Sequence, residues 1–286
     1  MRHLHIVPII VAFALGAATA AQGAENDIWA ADPNSGCKVW TIDLKPDTTV
    51  TWSGGCEDGR ASGKGRAQWS DGGSYEGEMK KGEPNGFGIL KRASGTRYEG
   101  DFIDGIYDGE GKAAYHERGT YEGDYRYGKH HGRGVRVHED GSRYEGEWRD
   151  GNRHGQGKTV FPMGASYEGA YKSDKGNGKG VAVYPDGRVY KGYFKNDDLH
   201  GYGEETMPSG STYRGRFIKG KRDGWGEFTW PNGAEYRGGW QGDVQHGRAM
   251  VFFPGRSIWV GDYINGERQQ GGECFGTDGT RKPGFC

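Results

Sequence analysis

An aromatic-x-Gly step recurs at Trp52, Tyr75, Tyr98, Tyr121, Tyr144, Tyr167, Tyr190, Tyr213, Tyr236 and Trp259, always 23 residues apart. A chain held to that register does not gather around one central core. It stacks copies of a small unit, each supported by its neighbours. With the aromatic residue as position 1, the unit that opens at Tyr144 alternates with period two. Tyr144, Gly146 and Trp148 point to one face, and Glu145 and Glu147 to the other, which predicts a strand. Asp150 to Gly155 supplies a turn, Gly157 to Phe161 a returning strand, and Pro162 with Gly164 the link onward.

The composition fits that reading and excludes others. Glycine accounts for 56 of 286 residues, without the three-residue period of collagen. Aromatic residues make up 13% of the chain, far more than a disordered glycine-rich chain carries. The hydrophobic total of 33% is too sparse for a large aliphatic core. A net charge of -1 gives no reason to expect nucleic acid as a partner. Glycines at positions 3, 12 and 14 fall inside strands, where glycine normally weakens pairing. A ring from position 1 or 5 lying over the bare backbone would recover the packing.

The first residues predict an exported protein. Arg2 precedes an apolar run from Ile6 to Ala20, and small residues follow to Ala24, as in a secretory signal peptide cleaved between residues 20 and 24. The run is shorter than the roughly 20 residues a membrane span needs. A periplasmic or secreted location in a bacterium is therefore expected. Four cysteines, Cys37, Cys56, Cys274 and Cys286, suit an oxidising compartment and allow three pairings.

The unit resembles the MORN (membrane occupation and recognition nexus) repeat, which reads Y-x-G-x-W/F/Y-x-x-G-x-x-x-G-x-G. The resemblance covers residues 52–272, with 25–51 and 273–286 left as caps. It implies an all-β, elongated, single-layer twisted sheet, a solenoid of about ten β-hairpin repeats extending on the order of 95 Å. It places the two cysteine pairs at opposite ends, favours Cys37 with Cys56 and Cys274 with Cys286, and so implies disulfide-fastened caps over the open edges. Trp52 and Cys56 depart from the pattern in the first unit, and the last unit lacks a clear second strand. Asp174 at position 8 and Ala249 at position 14 replace glycines and are expected to weaken a turn and a packing contact.

No catalytic, metal or cofactor site is predicted. Gly157-Lys158-Thr159 imitates the end of a phosphate loop, but Asn152 stands where the motif requires glycine. His131, His154, His200 and His246 share position 11 but alternate with Asn85, Asp108, Asn177 and Asp223, the pattern of small polar turn residues and not of a metal ladder. The strand carboxylates recur too often to form a unique acid–base pair.

Two surfaces are candidates for binding. One is the aromatic face, with Tyr125, Trp148, Tyr171, Phe194, Phe217 and Trp240 at position 5 and Phe161, Tyr184 and Trp230 at position 18; most of these rings are expected to hold the sheet together and some to stay exposed. The other is charged. Positions 2 and 4 are acidic in units two to five, including Glu99, Asp101, Glu122, Asp124, Glu145 and Glu147. They turn basic at Lys191, Arg214, Arg216 and Arg237 in units seven to nine, which suggests a bipolar face for an elongated partner or an antiparallel second copy. The MORN resemblance implies a non-enzymatic scaffold whose partner is a protein or peptide. Cell-wall glycan stacked on the rings is the alternative, and membrane contact is a weaker one because there is no sustained basic cluster.

Overall fold

The computed structural model describes residues 28–41, 48–255, 257–276 and 278–282. The expected signal segment and Cys286, hence the expected Cys274–Cys286 pair, lie outside them. The described chain is all β. Every strand from Arg60–Trp69 to Ser257–Ile264 pairs antiparallel with the next, two strands to a unit, in one open sheet.

The register explains the glycines. Position 3 faces position 14 across its own hairpin, and position 14 faces position 3 of the next unit. The pairs Gly134↔Gly146, Gly146↔Gly157, Gly157↔Gly169 and Gly169↔Gly180 belong to a glycine row that crosses the sheet. Over that row lies the position-1 ring. A Cβ on Gly157 would come within 2.5 Å of the Tyr144 ring, and one on Gly88 within 2.5 Å of Tyr75. Each position-1 tyrosine in units two to nine donates its hydroxyl to the position-4 carbonyl of its own strand, at 2.6–3.1 Å. Trp52 does the same with its indole N–H to Gly55, at 2.8 Å. Burial raises the tyrosine hydroxyl pKa values above the ordinary value and keeps them protonated donors.

Position 5 completes the packing. Its ring stands edge-on to the position-1 rings of its own and the preceding unit, with Trp148 5.0 Å from Tyr144 and 5.5 Å from Tyr121. The pattern recurs at Phe217, 5.1 Å from both Tyr213 and Tyr190. Edge-to-face contacts of this kind add about 1 kcal/mol each beyond their buried area. The core is thus a one-dimensional ladder of rings. It falls into two clusters that share only the half-buried Tyr167.

The turns also follow one rule, and one expectation is corrected there. Position 8 has positive φ, and its N–H donates to the position-10 carbonyl of the preceding unit, as Gly151 does to His130 at 2.9 Å. Asp174, with φ 67°, does not weaken its turn. It keeps that bond to Arg153, and its carboxylate accepts a second one from the Arg153 N–H at 2.9 Å. Asp197 and Asp243 occupy the same position and bind Gly176 and Arg222 in the same way, at 2.7 and 2.9 Å. A carboxylate here replaces glycine's freedom with an added tie between units. Ala249 keeps its place opposite Gly238, fully buried.

Cys37 and Cys56 form a disulfide with a Cα separation of 5.9 Å, which adds about 3 kcal/mol by restricting the unfolded chain. The cap it fastens reaches the open edge, where Asp32 accepts the Trp52 N–H at 3.3 Å, and extends beyond it. The hairpin of Ile28–Ala31 and Lys38–Thr41 runs along the turn side of the first units. Lys38 donates its N–H to Gly59 and Trp40 donates to Gly82, each at 2.9 Å. Trp29 packs on Gly82 and Trp40 on Gly105. Position-8 glycines leave room for those two indoles.

Candidate binding faces

The ring face is closed for most of its length. Of the aromatic residues expected to bind a partner, Tyr125, Trp148, Tyr171, Phe194, Phe217 and Trp240 are buried in the ladder. They are packing groups in the unbound chain. Phe161, Tyr184 and Trp230 remain half-buried and present an edge to solvent.

Two rows of this face escape the sequence reading because their residue types vary. Position 10 covers the position-1 ring. Tyr107 stacks on Tyr98 at 3.7 Å and His130 on Tyr121 at 3.5 Å, and the guanidinium of Arg222 lies 5.0 Å over Tyr213. Gly176 leaves Tyr167 without such a cover, which is where the two core clusters meet. Position 16 pairs with position 1 and holds Arg136, Thr159 and Glu205 among smaller apolar residues. The signal was present in the columns of the repeat: charged residues stand where the period demands inward-facing groups.

Two polar clusters result. Between units three and four the Tyr115 hydroxyl bridges the Tyr125 hydroxyl at 3.2 Å and His130 Nε2 at 3.1 Å. Burial, together with the nearby Arg136, pushes the His130 pKa down to about 3. Across units six to eight the buried Glu205 receives Arg188 at 2.9 Å and Arg222 at 2.8 Å. One carboxylate thus faces two guanidinium groups. Both clusters are enclosed by their own partners.

The outer face differs between the two halves. The reversal of charge at position 2 is an exchange of partners within the sheet, since position 2 lies opposite position 15 of the preceding strand. Lys112 pairs with Glu122 and Lys158 with Glu168, both at 3.0 Å. At two of the three basic positions, position 15 becomes acidic: Glu204 pairs with Arg214 at 3.1 Å and Glu227 with Arg237 at 3.7 Å, while Lys191 faces Val181. Glu99 and Glu145 are held by Arg97 and Arg143 on their own strands.

Position 4 has another task. After position 3 each hairpin contains a β-bulge, in which Gly155 and Gln156 have no partner across the hairpin. The position-4 carboxylate accepts the N–H of position 13 there. Asp101 binds the amide of Glu110 at 3.3 Å, Asp124 that of Arg133 at 2.8 Å and Glu147 that of Gln156 at 2.8 Å. In units six to nine position 4 holds Ala170, Tyr193, Arg216 and Gly239, none of which carries a carboxylate. Around them Tyr193, Tyr202 and Trp225 are 45%, 67% and 52% exposed. Lys179 lies 5.5 Å over the Tyr193 ring. Lys172, Asn177, Tyr193, Lys195, His200 and Tyr202 line an open depression of about 680 Å³. Lys191 and Arg216 are exposed beside it.

Several position-11 side chains, His131 among them, tie one turn to the next. Asn85 donates to Asp104 at 3.1 Å and Asn177 to Asn196 at 3.2 Å, while His131 accepts from the Asp150 amide at 3.5 Å. Among the described residues no group of histidine, cysteine or carboxylate side chains is arranged to hold a metal ion.

A search of the curated proteins finds no match. Among solved structures, the TCP domain of Drosophila melanogaster SAS-4 in complex with a proline-rich motif of Ana2 is 15% identical, over 53% of this chain and 83% of that one, with a TM-score of 0.34. The CPAP G-box domain is 10% identical over 78% and 99%, at 0.34. The TCP10 domain of Danio rerio CPAP is 15% identical over 68% and 91%, at 0.26. These likenesses are too distant to bear on what this chain binds. The MORN repeat model matches nine consecutive segments, at 52–74, 75–97, 98–116, 121–143, 144–166, 167–187, 190–212, 213–235 and 236–254, each coinciding with one ring-covered hairpin, and the chain belongs to the MORN repeat family.

Proposed function

We propose that this chain is an exported, non-enzymatic binding or scaffold protein that holds a protein or peptide partner on the outer face of units six to nine. The observation that carries this reading is the exposed row Tyr193, Tyr202 and Trp225. Large rings with lysine and arginine beside them stand on a face where the other half of the molecule satisfies its own charges. Exposed aromatic and arginine side chains supply most of the energy at protein interfaces. The ring face serves as the rigid support for that surface. Export rests on the N-terminal segment alone.

Crosslinking the tagged protein in its native compartment, followed by mass spectrometry, tests the reading. A dominant protein partner with crosslinks at Lys172, Lys179, Lys191 and Lys195 is the expected result. Crosslinks confined to the acidic half would overturn it. Exposed rings also suit stacked sugars, so retention of wall glycan in place of any protein would move the assignment to a glycan-binding module.

A further inference from the structure

Units three to five show what the bulge of this repeat binds. In each, a carboxylate at position 4 sits on the position-13 amide, at 2.8–3.3 Å. The same bulge recurs in units six to nine at Lys179, Tyr202, Trp225 and Arg248, facing Ala170, Tyr193, Arg216 and Gly239. These four amides lack the position-4 carboxylate that fills their counterparts. The side chains around them have become cationic or aromatic, and Tyr193 and Tyr202 line the open depression. Carboxylate binding by a backbone amide with a neighbouring cation is a charge-assisted contact, stronger than a neutral one.

We propose that units six to nine bind an acidic, extended segment of a partner protein, whose carboxylates take the place of the missing position-4 side chains. The proposal rests on the binding reading above and gives it a chemistry. Spacing sets the pattern. Successive position-13 amides are two strands apart, about 9.6 Å, and a segment in the extended polyproline-II conformation rises about 3.1 Å per residue with three residues per turn, which brings every third side chain to the same side. An Asp or Glu at every third residue of a segment crossing the strands meets each amide in turn. Tyr202 and Trp225 offer flat surfaces to the residues between. A second copy of this chain is a poor occupant, because its own carboxylates at Asp101, Asp124 and Glu147 are engaged at their bulges. Those at Glu122, Glu145 and Glu168 are paired with Lys112, Arg143 and Lys158.

The test is a titration of the full chain with a labelled twelve-residue peptide carrying Asp at every third position between Ser and Gly. A peptide of the same composition with its four Asp residues contiguous is the comparison. The spaced peptide is expected to bind at least fivefold more tightly, and the preference should shrink as salt is raised. The variant Ala170→Asp with Tyr193→Asp restores the chain's own caps and is expected to weaken the spaced peptide at least tenfold. Lys219→Gln with Lys221→Gln, a charge-matched change in a turn, is expected to leave binding within twofold. Equal binding of the two peptides would overturn the proposal, as would full retention by the self-capped variant. Concentration-dependent dimerisation of the wild-type chain that the self-capped variant loses would overturn it in favour of a second copy. If neither peptide binds but crosslinking still captures a protein on this half, the binding reading stands and the carboxylate chemistry falls.

Discussion

Units three to five and units six to nine share one backbone and one register, yet they treat their polar groups in opposite ways. The earlier half closes every bulge with its own acid and pairs its strand charges across the sheet or along the strand. Its one buried titratable cluster, Tyr115 with Tyr125 and His130, is kept uncharged. The later half buries an ionised group, Glu205 between two arginines, and leaves its bulges uncapped among exposed rings. Repeats free selection to change one row of residues without moving the others, since each unit touches only its neighbours. A binding face can therefore be opened by removing carboxylates from one row while the glycine row and the ring ladder stay untouched.

The largest effect expected from a test of this contrast is at Glu205. Replacing it with Gln strands two half-buried guanidinium groups beside an uncharged amide, and the cost of breaking a buried pair is about 3–5 kcal/mol. Urea denaturation should show it, and a change below about 1 kcal/mol would mean that water reaches the cluster freely. Next comes the glycine row common to both halves. Gly157→Ala pushes a methyl group into the Tyr144 ring and should cost about 1–3 kcal/mol, whereas Ala249→Gly, at the one position of the row where alanine is native, should cost less than about 1 kcal/mol. If the two cost the same, the ring cover is not what demands glycine.

The cluster in the earlier half makes a pH prediction. His130 titrates at about 3 in the fold, against roughly 6.5 in the unfolded chain. Between these values the unfolded state binds the extra proton. The stability that depends on neutral His130 is therefore complete above about pH 6.5 and is lost as pH falls toward 3, at up to about 1.4 kcal/mol per pH unit. His130→Phe should flatten that slope, and an unchanged slope would place the acid sensitivity elsewhere. The smallest effect separates the two kinds of bulge. Asp124→Asn should cost about 1 kcal/mol, read as faster hydrogen exchange at the Arg133 amide, while Ala170→Asp should slow exchange at Lys179. No change at Lys179 would mean that the later bulges cannot accept a carboxylate.

The 23-residue period, the alternation within each unit and the glycines at positions 3 and 14 were enough to read the hairpins, their stacking and the family, because strand pairing and ring-over-glycine packing are local to a unit and its neighbour. The Cys37–Cys56 disulfide agrees with the pairing that the family resemblance implied. What each polar side chain does was not legible. Position 2 looked like a bipolar surface until the register set Glu204 against Arg214 and Glu227 against Arg237. Most rings of the aromatic face were expected to hold the sheet, but the sequence did not say which: those at position 5 are buried by position-1 rings of their own and the preceding unit. The cap was expected over the sheet edge, where Asp32 does accept the Trp52 N–H, but its hairpin also extends along the turns. In each case the deciding contact joins residues whose pairing depends on the bulge and on which strand lies next door. A repeat pattern states what recurs along the chain, and only the tertiary structure decides which of the recurring charges find partners in the sheet and which are left for something else to bind.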